Sequence, residues 1–301
     1  MKAVGAAAYE IAVGRLLRRM VFFGLPLLFW QGAQGSAQWI EANGVALHYE
    51  LSGQGPHTLV LLHEMGMTLQ SWDELLPTLA IDHRVLRYDL RGFGLSEKIR
   101  GHIQFGDEIS DLRALLDALE IKDPVSLIGG AAGASIAAKF AADYPERVAA
   151  LVLISPILSG GPRPAAPAMV GVDNSPAGII ERDGVRAYLE AQTESVFPIQ
   201  LQTPERLARF RGMQLSSDPV GRVLTTRMIS ATDLSEELSR IRCPTLILGT
   251  TLFGPGGNAK RLVERIAQST YQPLSTGHFA ALESPELVLG ALQPFLRQYG
   301  D

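Results

Sequence analysis

The chain has 301 residues, of which 47% are hydrophobic and 19% charged, and its formal net charge is −4 at pH 7. This length and composition predict one large domain with a sizeable buried core, or a core that carries an insertion, and they argue against a disordered chain. The charge provides no basic surface for a nucleic acid, so we expect no nucleic-acid partner. The single cysteine, Cys243, excludes an internal disulfide.

The first 37 residues have the pattern of a signal peptide. Basic residues precede an apolar run over 20–30, and small and polar residues follow it. This order predicts a signal peptide over 1–37 that is cleaved after Ala37, and hence export to the periplasm or the medium. The apolar run is too short to cross a bilayer comfortably, so we expect no stable membrane span after processing. The alternative is a wrongly assigned start with an amphipathic or disordered leader, in a cytoplasmic protein.

After residue 37, short apolar runs alternate with amphipathic segments. Strands are predicted over 38–41, 45–51, 58–62, 84–88, 125–128 and 148–154. Apolar residues at three- and four-residue spacing predict helices over 71–79, with Ser71 as its cap, and over 107–119. This alternation predicts an α/β fold with a doubly wound, mostly parallel sheet.

The alternation stops after residue 156. A Pro-, Gly- and Ala-rich stretch over 159–178 predicts a loop, and helices are predicted over 179–196, 204–213 and 220–232. Strands and helices alternate again over 244–248, 258–267, 271–274 and 285–299. The predicted organisation is therefore a core over 38–156 and 241–301, with a helical cap over 157–240.

The turn around Ala131 has the clearest chemical meaning. A strand leads into Gly129-Gly130-Ala131-Ala132-Gly133, and an Ala-rich helix follows. This is the layout of the nucleophile elbow, G-x-S-x-G, which holds a serine above the edge of a parallel sheet. The glycine frame is intact, but alanine stands at the serine position.

Together with four further motifs, this turn resembles the α/β-hydrolase family. The motifs cover 61–66, 88–96, 241–248 and 277–279, and they follow the family's order. Within the family, the chain resembles the type that includes 3-oxoadipate enol-lactonase and aminoacrylate hydrolase. The resemblance implies that the nucleophile position is Ala131 and that the general base is His278. It also implies that backbone N–H groups bind the substrate oxyanion beside Gly130, one from Ala132 and the other from Met65 or Glu64.

The acid partner of His278 is absent from both of its usual places. After the strand that ends at Gly249 the chain has Thr250 and Thr251, and after the strand that ends at residue 154 it has Ser155. Thr251 or Ser155 can hydrogen-bond an imidazole, but neither carries a negative charge.

Glu64 stands where the family commonly has glycine. If it is partly buried, its pKa rises, and it can act as a general base or orient His278. The alternative is that Glu64 points to solvent or caps a local turn. His63 beside it is expected to be a structural hydrogen-bonding residue.

Three functions remain open from the sequence. The first is hydrolysis of a small activated ester, lactone or carbamate-like carbonyl compound by direct attack of water, because Ala131 supplies no hydroxyl. The second is non-catalytic binding of a small molecule, and the third is a lyase or isomerase in which His278 moves protons. A small-molecule substrate is therefore expected. No metal-ligand spacing or phosphate-loop motif is present, so we expect no metal and no cofactor.

Overall fold

The computed structural model describes residues 38–158, 173–253, 259 and 262–300. The predicted signal peptide over 1–37 lies outside these residues, as do most of the loop predicted over 159–178 and part of the helix predicted over 258–267. Within the described part, strands and helices alternate through residue 154, as the sequence predicts.

Eight strands among the described residues form one sheet. They run over Gln38–Ala42 (β1), Val45–Ser52 (β2), Thr58–Leu62 (β3), Arg84–Tyr88 (β4), Val125–Gly130 (β5), Val148–Ile154 (β6), Thr245–Thr250 (β7) and Ser269–Leu274 (β8). Their order is β1-β2-β4-β3-β5-β6-β7-β8. β2 pairs antiparallel with both β1 and β4, and the other neighbours are parallel. The carboxyl ends of the parallel strands share one edge, where such sheets bind ligands.

Helices cover both faces of this sheet. They run over Leu76–Leu79 (α1), Phe105–Ala118 (α2), Ala132–Asp143 (α3), Pro176–Val196 (α4), Pro204–Leu215 (α5), Pro219–Ala231 (α6), Ala280–Glu283 (α7) and Pro285–Tyr299 (α8). Residues of α2 and α3 pack in the hydrophobic cluster on one face, and residues of α1 and α8 pack in the cluster on the other. The predicted doubly wound α/β sheet is therefore confirmed.

The side chains of β3 show how the two faces are filled. Val60 and Leu62 belong to the cluster with α2 and α3, whereas Leu59 and Leu61 belong to the cluster with α8. Successive side chains of a strand point to opposite faces, so a strand covered on both sides is apolar throughout. This is why the continuous apolar run was a correct signal for a central strand.

The helix predicted over 71–79 forms two shorter pieces instead. A single 3₁₀ turn covers Leu69–Trp72, and the side chain of Thr68 caps it. α1 then begins as a separate helix. Pro77 has no N–H to donate to the carbonyl of Asp73, four residues earlier, so one continuous helix would lose this hydrogen bond. The predicted cap at Ser71 is wrong.

Helices α4, α5 and α6 lie in the segment predicted as the cap, 157–240. α4 breaks at Gly184, whose φ of 87° and ψ of 167° are not helical. Residues of all three helices form a third hydrophobic cluster with Met67, Phe279 and Leu282. This cluster joins them to the loop after β3 and to α7, while the cap boundaries themselves stay a prediction. In the part of the chain that the structure describes, no helix has the length and hydropathy needed to cross a bilayer.

Candidate active site

The turn after β5 is strained at its centre. Ala131 has φ 46° and ψ −105°, a backbone conformation that is rare for any residue with a Cβ. Its N–H donates to the carbonyl of Ile154 at 2.9 Å, and its carbonyl accepts from the N–H of Ser135 at 3.2 Å. α3 begins at the next residue. The Ala131 methyl therefore stands at the carboxyl edge of the sheet, where the G-x-S-x-G motif holds its serine.

Two glycines allow α3 to approach the sheet this closely. A Cβ on Gly133 would collide with the backbone of Leu62 and His63, and a Cβ on Gly129 would collide with the backbone of Gly133. The predicted glycine frame is thus required by backbone contacts.

His278 follows β8 and is largely buried. Its Nδ1 lies 3.0 Å from Oγ of Ser155, and the Thr250 hydroxyl donates to the same oxygen, also at 3.0 Å. Ser155 directly follows β6, as Ala131 directly follows β5, and the last residues of these two strands are paired in register. The structure therefore brings Ala131, Ser155, Thr250 and His278 to the same edge of the sheet.

The described partner of His278 Nδ1 is thus a hydroxyl. In the usual triad a carboxylate accepts from Nδ1–H, which leaves Nε2 as the base, and it stabilises the imidazolium. A serine hydroxyl can accept from Nδ1–H or donate to Nδ1, so it neither selects the tautomer nor neutralises the cation. Of the two hydroxyls considered from the sequence, Ser155 makes this contact, whereas the Thr251 hydroxyl donates to the carbonyl of Leu274 at 3.2 Å.

Glu64 is buried, with 1% of its surface exposed, so the alternative that it points to solvent is wrong. Its side chain lies against Gly130, where a Cβ would come within 2.6 Å of Oε1. Its Oε2 has no hydrogen-bond partner among the described residues. Burial raises the pKa of Glu64 to about 7. The carboxyl group beside the strained turn can therefore change protonation near neutral pH.

A second buried carboxylate, Glu283 of α7, is a site residue that the sequence analysis missed. Its two oxygens accept from the Thr276 hydroxyl and the Phe279 N–H, both at 3.1 Å. Glu283 therefore holds both sides of the turn that carries His278. Burial and, to a smaller extent, the charge of Glu64 raise the pKa of Glu283 to about 7. The feature of the sequence that could have indicated Glu283 is an acidic residue directly after a short apolar run.

His63, the first residue after β3, has a structural role. The N–H of Leu90 donates to its Nε2 at 2.9 Å, and its Nδ1 lies 2.8 Å from the carbonyl of Glu64. Both ring nitrogens are thus engaged by backbone groups that tie the β3 and β4 loops together. Burial also lowers the pKa of His63, which favours a neutral ring.

The expected oxyanion donors lie at the start of α3 and in the loop after β3. Ala132 is the first residue of α3, so its N–H has no acceptor within the helix. Met65 lies in a turn closed by a 3.0 Å hydrogen bond from the Met67 N–H to the Glu64 carbonyl. The hydroxyl of Thr226, a residue of α6, donates a hydrogen bond to Met65 Sδ at 3.0 Å. The roles of Ala132 and Met65 as oxyanion donors stay predictions.

A buried arginine, Arg222 of α6, was not predicted from the sequence, and it is only 5% exposed. It lies on the buried stripe of this helix, with Thr225, Thr226 and Ile229 at the three-, four- and seven-residue spacings that follow it. Such a stripe predicts an apolar residue. A charged residue at this apolar spacing is therefore the feature of the sequence that could have indicated a buried arginine.

Cys243 and the other ligand-type residues show no metal-site geometry. Among residues 38–158, 173–253, 259 and 262–300, no group of three or more His, Cys, Asp or Glu side chains is placed to hold a metal ion. Burial raises the pKa of the Cys243 thiol to about 11, so little thiolate forms at neutral pH.

A family model described as the alpha/beta hydrolase fold matches residues 57–285. This chain belongs to that family. The match runs from just before β3 to the start of α8, so it includes the strained turn at Ala131 and the turn at His278. The family resemblance inferred from the motifs is therefore confirmed.

Several relatives of this alpha/beta hydrolase cover most of the chain. Pyrrolizixenacetamide deacetylase of Xenorhabdus hominickii is 26% identical over 280 residues, which are 85% of this chain and 97% of that protein. A Rhizobium rhizogenes protein named as carbamate hydrolase RutD is 26% identical over 271 residues, or 83% of this chain and 98% of its own length. The crystal structure of the enol-lactonase from Burkholderia xenovorans has a TM-score of 0.79 and 25% identity, and the match covers 86% of this chain and 100% of that one.

Replacing Glu64 with glutamine is expected to change how stability depends on pH. The pKa of Glu64 is about 7 in the folded protein, and its ordinary value is 4.5. Between these pH values the folded protein keeps a proton on Glu64 that the unfolded chain has released, so the free energy of unfolding falls as pH rises. The free energies of unfolding of wild type and Glu64→Gln should therefore be similar near pH 4, and the variant should be more stable by about 3 kcal/mol near pH 8. Urea unfolding across this pH range measures the difference.

The exposed Glu190 of α4 offers a matched control. Glu190→Gln should track the wild type at every pH, because the Glu190 side chain is exposed to water in the folded protein as it is in the unfolded chain. A difference between wild type and Glu64→Gln that stays constant with pH would contradict a raised pKa at Glu64.

Proposed function

We propose that this alpha/beta hydrolase cleaves a small activated ester, lactone or carbamate-like carbonyl compound by direct attack of water, without an acyl-enzyme intermediate. The observation that carries the proposal is the Ala131 methyl at the centre of the strained turn, next to the strand end where Ser155 contacts His278. A methyl group cannot attack a carbonyl, so the reaction needs another nucleophile. Water is the nucleophile that fits the volume of a missing hydroxyl.

In the proposed reaction, His278 takes a proton from water as the water oxygen bonds to the carbonyl carbon. The carbonyl electron pair moves to its oxygen, and the N–H groups of Ala132 and Met65 bind the resulting oxyanion. The intermediate then re-forms the carbonyl and expels the leaving group, which takes the proton from His278. Glu64, whose pKa is about 7, is the second candidate for the base.

Two arguments favour an activated substrate. Hydrolases that lose a triad member retain roughly 10³–10⁴-fold catalysis over water from the oxyanion hole and binding alone, which is enough for a labile carbonyl and too little for a peptide. The names of the relatives, a deacetylase, a carbamate hydrolase and an enol-lactonase, support the same class of bond.

Hydrolysis of p-nitrophenyl acetate tests the proposal. We expect turnover above the rate in buffer, and a loss of at least ~100-fold in His278→Ala because the general base is removed. His102→Ala, at an exposed loop position, is the matched control and should keep the wild-type rate. Mass spectrometry during turnover should show no acylated protein. An acylated wild-type chain would contradict the proposal, as would a rate that neither His278→Ala nor Glu64→Gln diminishes.

Non-catalytic binding of a small molecule is the second candidate, and the neutral hydroxyl against His278 Nδ1 favours it. A binding protein would retain its ligand and release no product. Recovery of every tested ester unchanged, from both the wild type and Ala131→Ser, would select this candidate over the hydrolase.

A further inference from the structure

Arg222 is a buried cation whose charge has no counterpart among the described residues. Its guanidinium Nε and Nη1 make no hydrogen bond there, and no described carboxylate forms an ion pair with it. Its aromatic neighbour is Tyr188, whose ring centroid lies 5.8 Å from the guanidinium carbon. Burying a cation without an anion is costly, and proteins rarely retain such a group without using it.

The guanidinium lies against the loop that carries a predicted oxyanion donor. A Cβ on Gly66 would collide with Nη1 of Arg222, and Gly66 directly follows Met65. The positive charge of Arg222 also lowers the pKa of His63, at the start of the same loop. Arg222 is therefore oriented from α6 towards the carboxyl edge of β3, not towards bulk solvent.

The Gln214 side chain lies beside this guanidinium. Its Oε1 lies against Gly66 as Arg222 does, and within the described residues this oxygen has no hydrogen-bond partner. The Gln214 side chain is held in place, because its Nε2 donates to Met67 Sδ at 3.4 Å. A neutral amide oxygen does not neutralise a guanidinium. The Gln214 oxygen can only accept, so the groups here that can bind an anion are the unpaired Nε–H and Nη1–H donors of Arg222.

We propose that Arg222 binds a carboxylate of the substrate, so that this protein acts on acyl compounds that are themselves acids. This inference rests on the proposed function, because it assumes that the carbonyl group of the same substrate is cleaved in the site beside Ala131. Guanidinium–carboxylate hydrogen bonds are charge-assisted and become stronger away from water. Arg222 lies against Gly66, the residue after Met65, so a carboxylate bound to Arg222 would lie close to the Met65 N–H. The carbonyl end of a short acid would then lie at the carbonyl site.

Calorimetry with succinate and with its uncharged analogue succinamide tests the site without turnover. The wild type should bind succinate and not succinamide. Arg222→Met should weaken succinate binding roughly 10- to 100-fold, because a charge-assisted hydrogen bond is lost. Arg227→Met is the matched control, since Arg227 lies on the same helix but is exposed and paired with Glu181, and it should bind as the wild type does.

Thermal unfolding separates ligand binding from a structural role. If the cation is uncompensated, Arg222→Met should unfold at the same temperature as the wild type or higher when no ligand is present. Succinate should raise the unfolding temperature of the wild type and leave that of Arg222→Met unchanged. A variant that unfolds earlier yet binds succinate normally would overturn the proposal. Arg222→Lys keeps the cation and should bind with intermediate affinity, which provides a test if the Met variant does not fold.

Paired esters distinguish failure of this inference from failure of the proposed function. The KM for p-nitrophenyl hydrogen succinate should be lower than for its neutral methyl ester in the wild type, and equal to it in Arg222→Met. Succinate binding through Arg222 without cleavage of either ester would reject the hydrolase and keep the carboxylate site. Cleavage of both esters with equal KM values, together with no binding of succinate, would reject the site and keep the hydrolase.

Discussion

A chain that carries both Ala131→Ser and Ser155→Asp is expected to hydrolyse p-nitrophenyl acetate roughly 10³–10⁴-fold faster than the wild type. The first change supplies a nucleophile at the centre of the strained turn. The second supplies a carboxylate to accept from Nδ1–H of His278, which leaves Nε2 as the base and stabilises the imidazolium. Steady-state rates of p-nitrophenol release measure the gain.

The backbone at both positions suits these substitutions. Ala131 already has the strained φ of 46° of a nucleophile elbow, so serine needs no backbone change. Ser155 has a φ of 48°, in the left-handed region where aspartate is one of the better-tolerated residues. Thr250, which donates to Ser155 Oγ at 3.0 Å, can donate to the new carboxylate.

Two further variants separate the contribution of the serine nucleophile from that of the carboxylate. Ala131→Ser alone should give a smaller gain, together with an acylated protein that mass spectrometry detects. Ala131→Ser combined with Ser155→Asn has the steric demand of the aspartate variant without its charge, so it should fall short of the full rate. If no ester is cleaved by the double variant, His278 and the oxyanion donors are not arranged as the proposed function requires.

Gly133→Ala is expected to destabilise the protein by roughly 4–5 kcal/mol, the upper end for single substitutions. The added methyl would collide with the backbone carbonyls of Leu62 and His63. Neither side can move easily, because β3 is central in the sheet and α3 is buried against it. Urea unfolding measures the loss, and the same displacement of α3 should disturb the turn at Ala131.

Gly290→Ala, in the middle of α8, is the matched control. A Cβ there meets nothing within 4 Å, so alanine should stabilise the helix by roughly 0.5–1 kcal/mol. Comparable stability of the wild type and Gly133→Ala would mean that α3 does not approach β3 as closely as described.

Local patterns in the sequence determined the architecture. Runs such as Thr58–Leu62 are apolar throughout because both faces of the central strands are covered, and that signal needs no knowledge of the partner. The glycine frame around Ala131 likewise predicted a tight strand–helix turn, because close approach of helix and strand excludes side chains at Gly129 and Gly133. Over residues 71–79 the apolar spacing predicts one helix, but Pro77 prevents a continuous helix there and the structure has two separate pieces.

The electrostatics of the site were decided by the tertiary structure alone. The contact of Ser155 with His278, the packing of Glu64 against Gly130 and the packing of Arg222 against Gly66 all join segments that are far apart in the chain. Glu283 hydrogen-bonds Thr276 and Phe279 within its own segment, but its burial depends on the tertiary structure. Residue type specifies which protons and charges a side chain can carry. Whether a charge is paired, and how strongly desolvation shifts its pKa, depends on which distant groups surround it in the folded state. The fold could therefore be inferred from periodicity and glycine spacing, whereas the charge balance around its candidate site required three-dimensional contacts.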